Sequence, residues 1–193
     1  ITATDDGIQC EKGPISVTGG RTTVITTGNA VYEDSDISSS SCINSGTTFA
    51  MTAGTVLLKS SGSAGKGLNC DGEIYLYGGT LRVVTTGKQY VYGRLDSSAK
   101  GIKSKSSLTI ESGTIWVRAT GGEGSEGIES KNVMTINGGD IAVYAYDDCL
   151  NASNNITING GSVYCYSTGN DGVDSNGTLT ITGGTVVASG TAS

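Results

Sequence analysis

The chain has 193 residues, 31 of them glycine and one proline, no histidine, and a net charge of −6. Glycine, serine and threonine in this abundance disfavour helices, while recurrent Ile, Val, Leu and Tyr argue against disorder. No Gly-x-y period suggests collagen, no apolar run approaches the roughly 20 residues of a membrane span, and the acidic balance argues against a nucleic-acid partner.

Taken in chain order, the sequence is a repeat. Copies start near Gly7, Cys42, Gly67 and Gly101, and continue at Glu126-Gly127-Ile128-Glu129-Ser130, Asp148-Cys149-Leu150-Asn151-Ala152 and Asp171-Gly172-Val173-Asp174-Ser175. The second glycine of a Gly-Gly pair, or its equivalent, falls at Gly20, Gly54, Gly79, Gly113, Gly139, Gly161 and Gly184. The intervals are 34, 25, 34, 26, 22 and 23 residues. Two copies are therefore followed by insertions, near 28–40 and 87–99, and the second insertion carries Tyr90, Tyr92 and Arg94.

Each copy contains three short segments of alternating apolar and polar residues, separated by Gly or Asn turns. Period-two alternation predicts strands with one buried face. Three strands per copy fit one coil of a right-handed parallel β-helix, a solenoid of about seven three-strand rungs forming a single domain over residues 1–193. Aligned copies yield two apolar columns, Ile15 through Phe49, Ile74, Leu108, Met134 and Ile156 to Leu179, and Val17 through Met51, Leu76, Ile110, Ile136 and Ile158 to Ile181. A column of small residues runs from Cys10 through Ser45, Cys70, Ser104, Ser130 and Ala152 to Ser175. Cys10 and Cys70 stand two rungs apart, too far for a disulfide, so the five cysteines are expected as buried free thiols.

Function is expected on residues that the stack does not need. At the bend into the first strand a charged column runs Asp6, Ser41, Lys66, Lys100, Glu126, Asp148, Asp171. Its companion runs Gln9, Asn44, Asn69, Lys103, Glu129, Asn151, Asp174, and Asp147 and Asn170 add oxygens at the same bend. Stacked carboxylates repel unless a cation neutralises them. Calcium, with six to eight oxygen ligands, is the expected cofactor on Glu126, Glu129, Asp147, Asp148, Asn151, Asn170, Asp171 and Asp174; a solvated acidic edge is the competing reading.

Third strands carry an outward aromatic face: Trp116 and Tyr164 in one column, Tyr144 and Tyr166 in the next, and Tyr146 at the strand end. Arg118, Arg82 and Lys59 share that face. Flat aromatics with polar rims suit sugar rings, so a polysaccharide is the expected partner; cross-strand stacking for stability is the alternative. The threonine ladder Thr109, Thr135, Thr157, Thr180 reads as β-propensity. The chain begins and ends in third-strand phase, which leaves open a head-to-tail homo-oligomer or filament.

The motifs Glu-Gly-Ile-Glu-Ser, Asn-Asp-Gly-Val-Asp-Ser and Thr-Ile-x-Gly-Gly-x-Ile-x-Val, clearest from Lys100 to Gly190, resemble those of secreted bacterial polysaccharide-lyase-like carbohydrate-binding β-helix proteins. The resemblance implies an extracellular, non-catalytic protein that binds cellulose-like or pectic polymers. Family 9 pectate lyases, related to these, hold calcium with an Asp-Asp-x-x-Asp cluster. Asp147-Asp148-Cys149-Leu150-Asn151 and Asn170-Asp171-Gly172-Val173-Asp174 are similar, each with one Asp replaced by Asn. The lyases also need a lysine base, for which Lys100 and Lys103 match by column only. Three readings follow: a calcium-bearing glycan-binding protein, a structural subunit of an extracellular fibre or adhesin, and a calcium-dependent lyase.

Overall fold

The computed structural model describes residues 1–191, an all-β chain of 24 strands with no helix among the described residues. Strand pairing is parallel except in two hairpins. First strands Ile8–Cys10, Ser41–Ser45, Lys66–Cys70, Lys100–Ser104, Ile128–Ser130, Leu150–Ala152 and Val173–Ser175 form one seven-stranded sheet in chain order. Second and third strands form a curled 13-stranded sheet. One half holds second strands such as Leu108–Ile110 and Met134–Ile136; the other holds third strands such as Thr114–Ala119 and Asp140–Ala145.

The halves are joined by Ile15–Thr26 and Thr48–Ser60, in which second and third strands run on without a break. Three separate strands were expected in every copy. In the first two, the corner itself is bridged by backbone pairing, with register shifts at Val17/Thr18 and Thr18/Arg21 absorbing the turn.

Pairing follows the repeat. Leu108 stands beside Ile74 and Met134, Met134 beside Ile156, and Ile156 beside Leu179. Ile110, Ile136 and Ile158 form the next column. These residues are fully buried in the central copies, whereas Leu179 and Ile181 of the seventh are about half exposed. Burying each such side chain contributes roughly 1.5–3 kcal/mol before chain entropy opposes it.

Two small-residue columns make the close approach of the sheets possible. At the corner, the second glycines have positive φ in all seven copies, from 73° at Gly20 to 105° at Gly113, a region closed to most residues with a β-carbon. In the small inward column, hydroxyls satisfy turn carbonyls that the core would otherwise strand. Ser104 Oγ donates to Gly72 O and Ser107 O, and Ser130 Oγ donates to Ser106 O and Val133 O, all at 2.8–3.1 Å. Serine therefore stands there as a small residue that also carries a donor.

At the start of the first strand, glycine faces an inward valine across the core. A β-carbon added at Gly101 would lie 2.3 Å from Val117 Cγ1 and 2.4 Å from Gly127 O. Gly101→Ala is expected to destabilise the fold by about 3 kcal/mol, the upper range for overpacking, whereas alanine at solvent-facing Gly93 is strained only by its positive φ of 63°. Chemical denaturation of the two variants checks this; equal stability of Gly101→Ala and wild type would refute the packing.

Candidate functional site

The outward face of the third strands is built by alternation. While Ile115, Val117 and Ala119 point into the core, Trp116 and Arg118 point out. Register places Trp116 and Tyr164 on either side of Ala142, and Arg118, Tyr144 and Tyr166 in one column. Ring centroids of Trp116 and Tyr144 are 6.2 Å apart, those of Tyr144 and Tyr164 5.7 Å, and those of Tyr144 and Tyr166 6.4 Å. All three pairs are tilted rather than flat, and Tyr144, Tyr146, Tyr164 and Tyr166 remain exposed. These six predicted residues thus share one surface.

That surface continues over the earlier copies. Arg82 lies over the Trp116 ring, its guanidinium carbon 4.3 Å from the centroid, a cation–π contact. Beyond it, a shallow groove of about 410 Å³ is lined by Arg21, Ile25, Leu57, Lys59, Arg82 and Val84. Among the described residues, Arg21, Lys59, Arg82 and Arg118 have no carboxylate within 4.0 Å. On a chain of net charge −6 this is one face with free positive charge.

The charged column differs from the outward array expected. Lys66, Lys100, Glu126, Glu129 and Asp148 are buried; Ser39 and Ser97, from the two insertions, close on Lys66. Nor is Glu126 left among like charges: Lys100 Nζ lies 2.5 Å from its Oε2. Glu129 faces Lys103 at 3.5 Å, Lys100 at 4.0 Å, and Lys131 in closest contact. Lys66 is held by Ser39 Oγ, Ala64 O and Ser97 Oγ, which take its three donors. Burial, with Lys103 and Lys100 nearby, pushes its ammonium down to about 8.

In the acidic copies, N–H groups occupy the carboxylates. Asp147 accepts from Gly124 N and Asn170 Nδ2, both at 2.8 Å. Asp148 accepts from Asp171 N at 3.1 Å and Asn151 Nδ2 at 2.9 Å. The same Asn151 amide is 3.5 Å from Glu126 Oε1 and from Asp174 Oδ2. Among the described residues, no three Asp, Glu or Cys side chains are arranged as placed to hold a metal. The donor set still suits a hard cation, since an amide turned end for end presents oxygen where it now presents nitrogen.

With this geometry in hand, comparison with known families is decisive. A family described as "Carbohydrate-binding domain-containing protein" matches residues 1–89 and 84–172. The chain belongs to that family. Each matched segment spans three copies, so the family unit is itself a run of the repeat. No curated protein and no solved structure matches the chain. Among the described residues, no helix is long and apolar enough to cross a membrane.

In this carbohydrate-binding-family chain, both insertions are antiparallel hairpins, Val31–Glu33 with Asp36–Ser38 and Tyr90–Tyr92 with Leu95–Ser97. Their tips pack together, Tyr32 on Tyr92, with ring centroids 4.0 Å apart and planes within 13°. The sequence places Tyr92 in an insertion but does not show that Tyr32, 60 positions earlier, is its partner; only the stacking of copies brings the two hairpins side by side. A second aromatic pair, Tyr75 and Tyr77, stacks on the outward face of the second strands. It is legible only as two tyrosines at spacing two.

The Lys100–Glu126 pair sets a pH dependence. Burial pushes the Glu126 carboxyl up to about 7 despite Lys100. A carboxyl raised in the folded state favours folding when protonated, so its contribution is present below its unfolded value near 4.5 and is lost as pH rises through about 7. Burial also acts on Glu129, but Lys100, Lys103 and Lys131 outweigh it and hold that carboxyl low. The melting temperature is expected to fall between about pH 5 and about pH 8, and Glu126→Gln to flatten that decline. A variant with the wild-type slope would assign the titration elsewhere.

Proposed function

We propose that the protein is a right-handed parallel β-helix that binds an extracellular polysaccharide, without catalysis, on the outward face of its third strands. The winding is supported by the pairing of every strand outside the two hairpins with its counterpart one copy along. The family assignment supports carbohydrate binding. The observation that carries the choice of face is the array of Trp116, Tyr144, Tyr164 and Tyr166, continuous with the groove lined by Arg21, Lys59 and Arg82. Aromatic planes offer apolar area to sugar-ring faces. Uncompensated guanidinium groups suit carboxylates, which favours a pectic over a cellulose-like polymer.

Trp116→Ala with Tyr164→Ala removes stacking surface without opening the core. Each ring contributes about 1 kcal/mol beyond its area, so affinity for the polymer is expected to drop at least about tenfold, with an unchanged melting curve. Pull-down on insoluble polysaccharide and affinity electrophoresis measure it. Undiminished binding by the folded double variant would remove this face from the site.

Calcium is the second part of the proposal. The place that supports it is the Asn151 amide, set among Glu126, Asp148 and Asp174; Asp171 lies at the same bend. A cation there would draw the carboxylates in and take the amide oxygen. A ligand of the native state raises stability, so added calcium is expected to raise the melting temperature and a chelator to lower it, with Asp174→Asn blunting the response. A melting curve indifferent to calcium and chelator would assign neutralisation of these carboxylates to the lysines and amides alone.

A further inference from the structure

We propose that Cys149 and Cys165 form a built cross-linking site: their thiols close into a disulfide that ties the first strand to the third strand of the sixth copy.

The packing of the other copies shows why this pair is special. Where the first strand begins, five copies have glycine; four of these glycines look across the core at an inward valine, and Gly172 meets Ala188. A β-carbon built at Gly7, Gly67, Gly101 or Gly127 would lie 2.2, 2.1, 2.3 or 2.1 Å from Cγ1 of Val24, Val83, Val117 or Val143. The two positions share one volume, so a side chain at one must either turn aside from the other or be joined to it.

In the sixth copy both members change together. Cys149 stands at the glycine position, and Cys165 pairs in register with Val143 at the valine position. Both are wholly buried. Cys149 Sγ donates to Val143 O at 3.4 Å, which sets its sulfur beside the strand neighbour of Cys165. At the equivalent site of the third copy, a β-carbon on Gly67 would lie 3.5 Å from Val83 Cβ, within the β-carbon separation that a disulfide spans. The neighbouring thiol holds Cys149 below its ordinary value and, with burial, pushes Cys165 up. Cys42 provides the contrast: it too occupies the glycine position, but the third strand of its copy carries Leu58 there, and its sulfur rests 3.4 Å from Thr26 Oγ1. Cys10 and Cys70 share a column with Ser45 between them.

All five cysteines are thiols in this structure, so closure needs a two-electron oxidant, for which a small-molecule disulfide such as oxidised glutathione serves. The Cys149 thiolate attacks one sulfur of that disulfide and expels the other as a thiolate, giving a mixed disulfide. The Cys165 thiolate then attacks the Cys149 sulfur and expels the second small thiolate. The two protons lost by the cysteines end on the two released thiols, and one S–S bond has been exchanged for another. Because both sulfurs are sealed in the core, the oxidant reaches them before the sixth copy has wound onto the fifth. Closure is therefore coupled to folding. The bond encloses residues 149–165 and stabilises by restricting the unfolded chain.

The test refolds the full chain from denaturant, with reduced and oxidised glutathione or with reductant alone, alkylates free thiols and maps them by mass spectrometry. The expected result is a Cys149–Cys165 linked peptide pair only in the oxidised sample, two mass units lighter than the two thiol peptides, and a melting temperature several degrees above that of the reduced protein. Cys42→Ser is expected to keep both signatures. Cys149→Gly with Cys165→Val restores the packing pair of the other copies, so it folds without sulfur and loses both signatures. Natively folded protein from the oxidising arm with both thiols alkylated, or a bond linking either cysteine to another partner, would overturn the proposal.

Discussion

Everything in this molecule depends on the parallel register between copies. Each strand outside the hairpins hydrogen-bonds to its own counterpart in the next copy, so equivalent residues stand one above another at about 4.8 Å. A side chain's closest neighbours are therefore its own equivalents. Apolar columns satisfy this without difficulty, since Leu108, Met134 and Ile156 differ in shape but fill similar volumes. Polar and charged columns satisfy it only if each residue complements the one beneath it.

The outward ladders show how that complementarity is met. Asn137 donates to Glu111, Asn159 donates to Asn137, and Thr182 donates to Asn159, all within 2.9 Å. Amides suit this work because each carries both a donor and an acceptor. The buried charged column uses ion pairing instead. Basic Lys100 and Lys103 lie beneath acidic Glu126 and Glu129, which converts like-charge stacking into attraction at the junction of basic and acidic copies. Above that junction no lysine follows, and the amides of Asn151 and Asn170 take over.

Surface without such internal partners is where recognition fits. On the outward third-strand face, the aromatic rings touch one another and Arg82, and the cations have no carboxylate partner among the described residues. Its rigidity comes from a sheet whose other side is the core. Side chains there are presented by alternating backbone rather than by loops, so their spacing is set by the strand separation. A polymer lying across the strands would meet the same spacing copy after copy, which is why a repeat is an economical way to grip a repeating ligand.

The sequence by itself determined the copies, their register, the core columns and the outward aromatic set. Those follow from periodicity, and periodicity is a local property that parallel stacking simply extends. Tertiary structure decided what lies between columns. The Val117 methyl reaching into the space at Gly101, the setting of Cys149 beside the strand neighbour of Cys165, the Tyr32–Tyr92 stack of two hairpins and the burial of Lys66 and Glu129 all join positions that alignment places in different columns or in insertions. Distances across a coil depend on how sharply its corners turn, and the corners of the first two copies proved to be bridged by continuous strands. That is also why the charged bend read as an exposed array: its column was legible, but the lysines, amides and insertion serines that close on it were not.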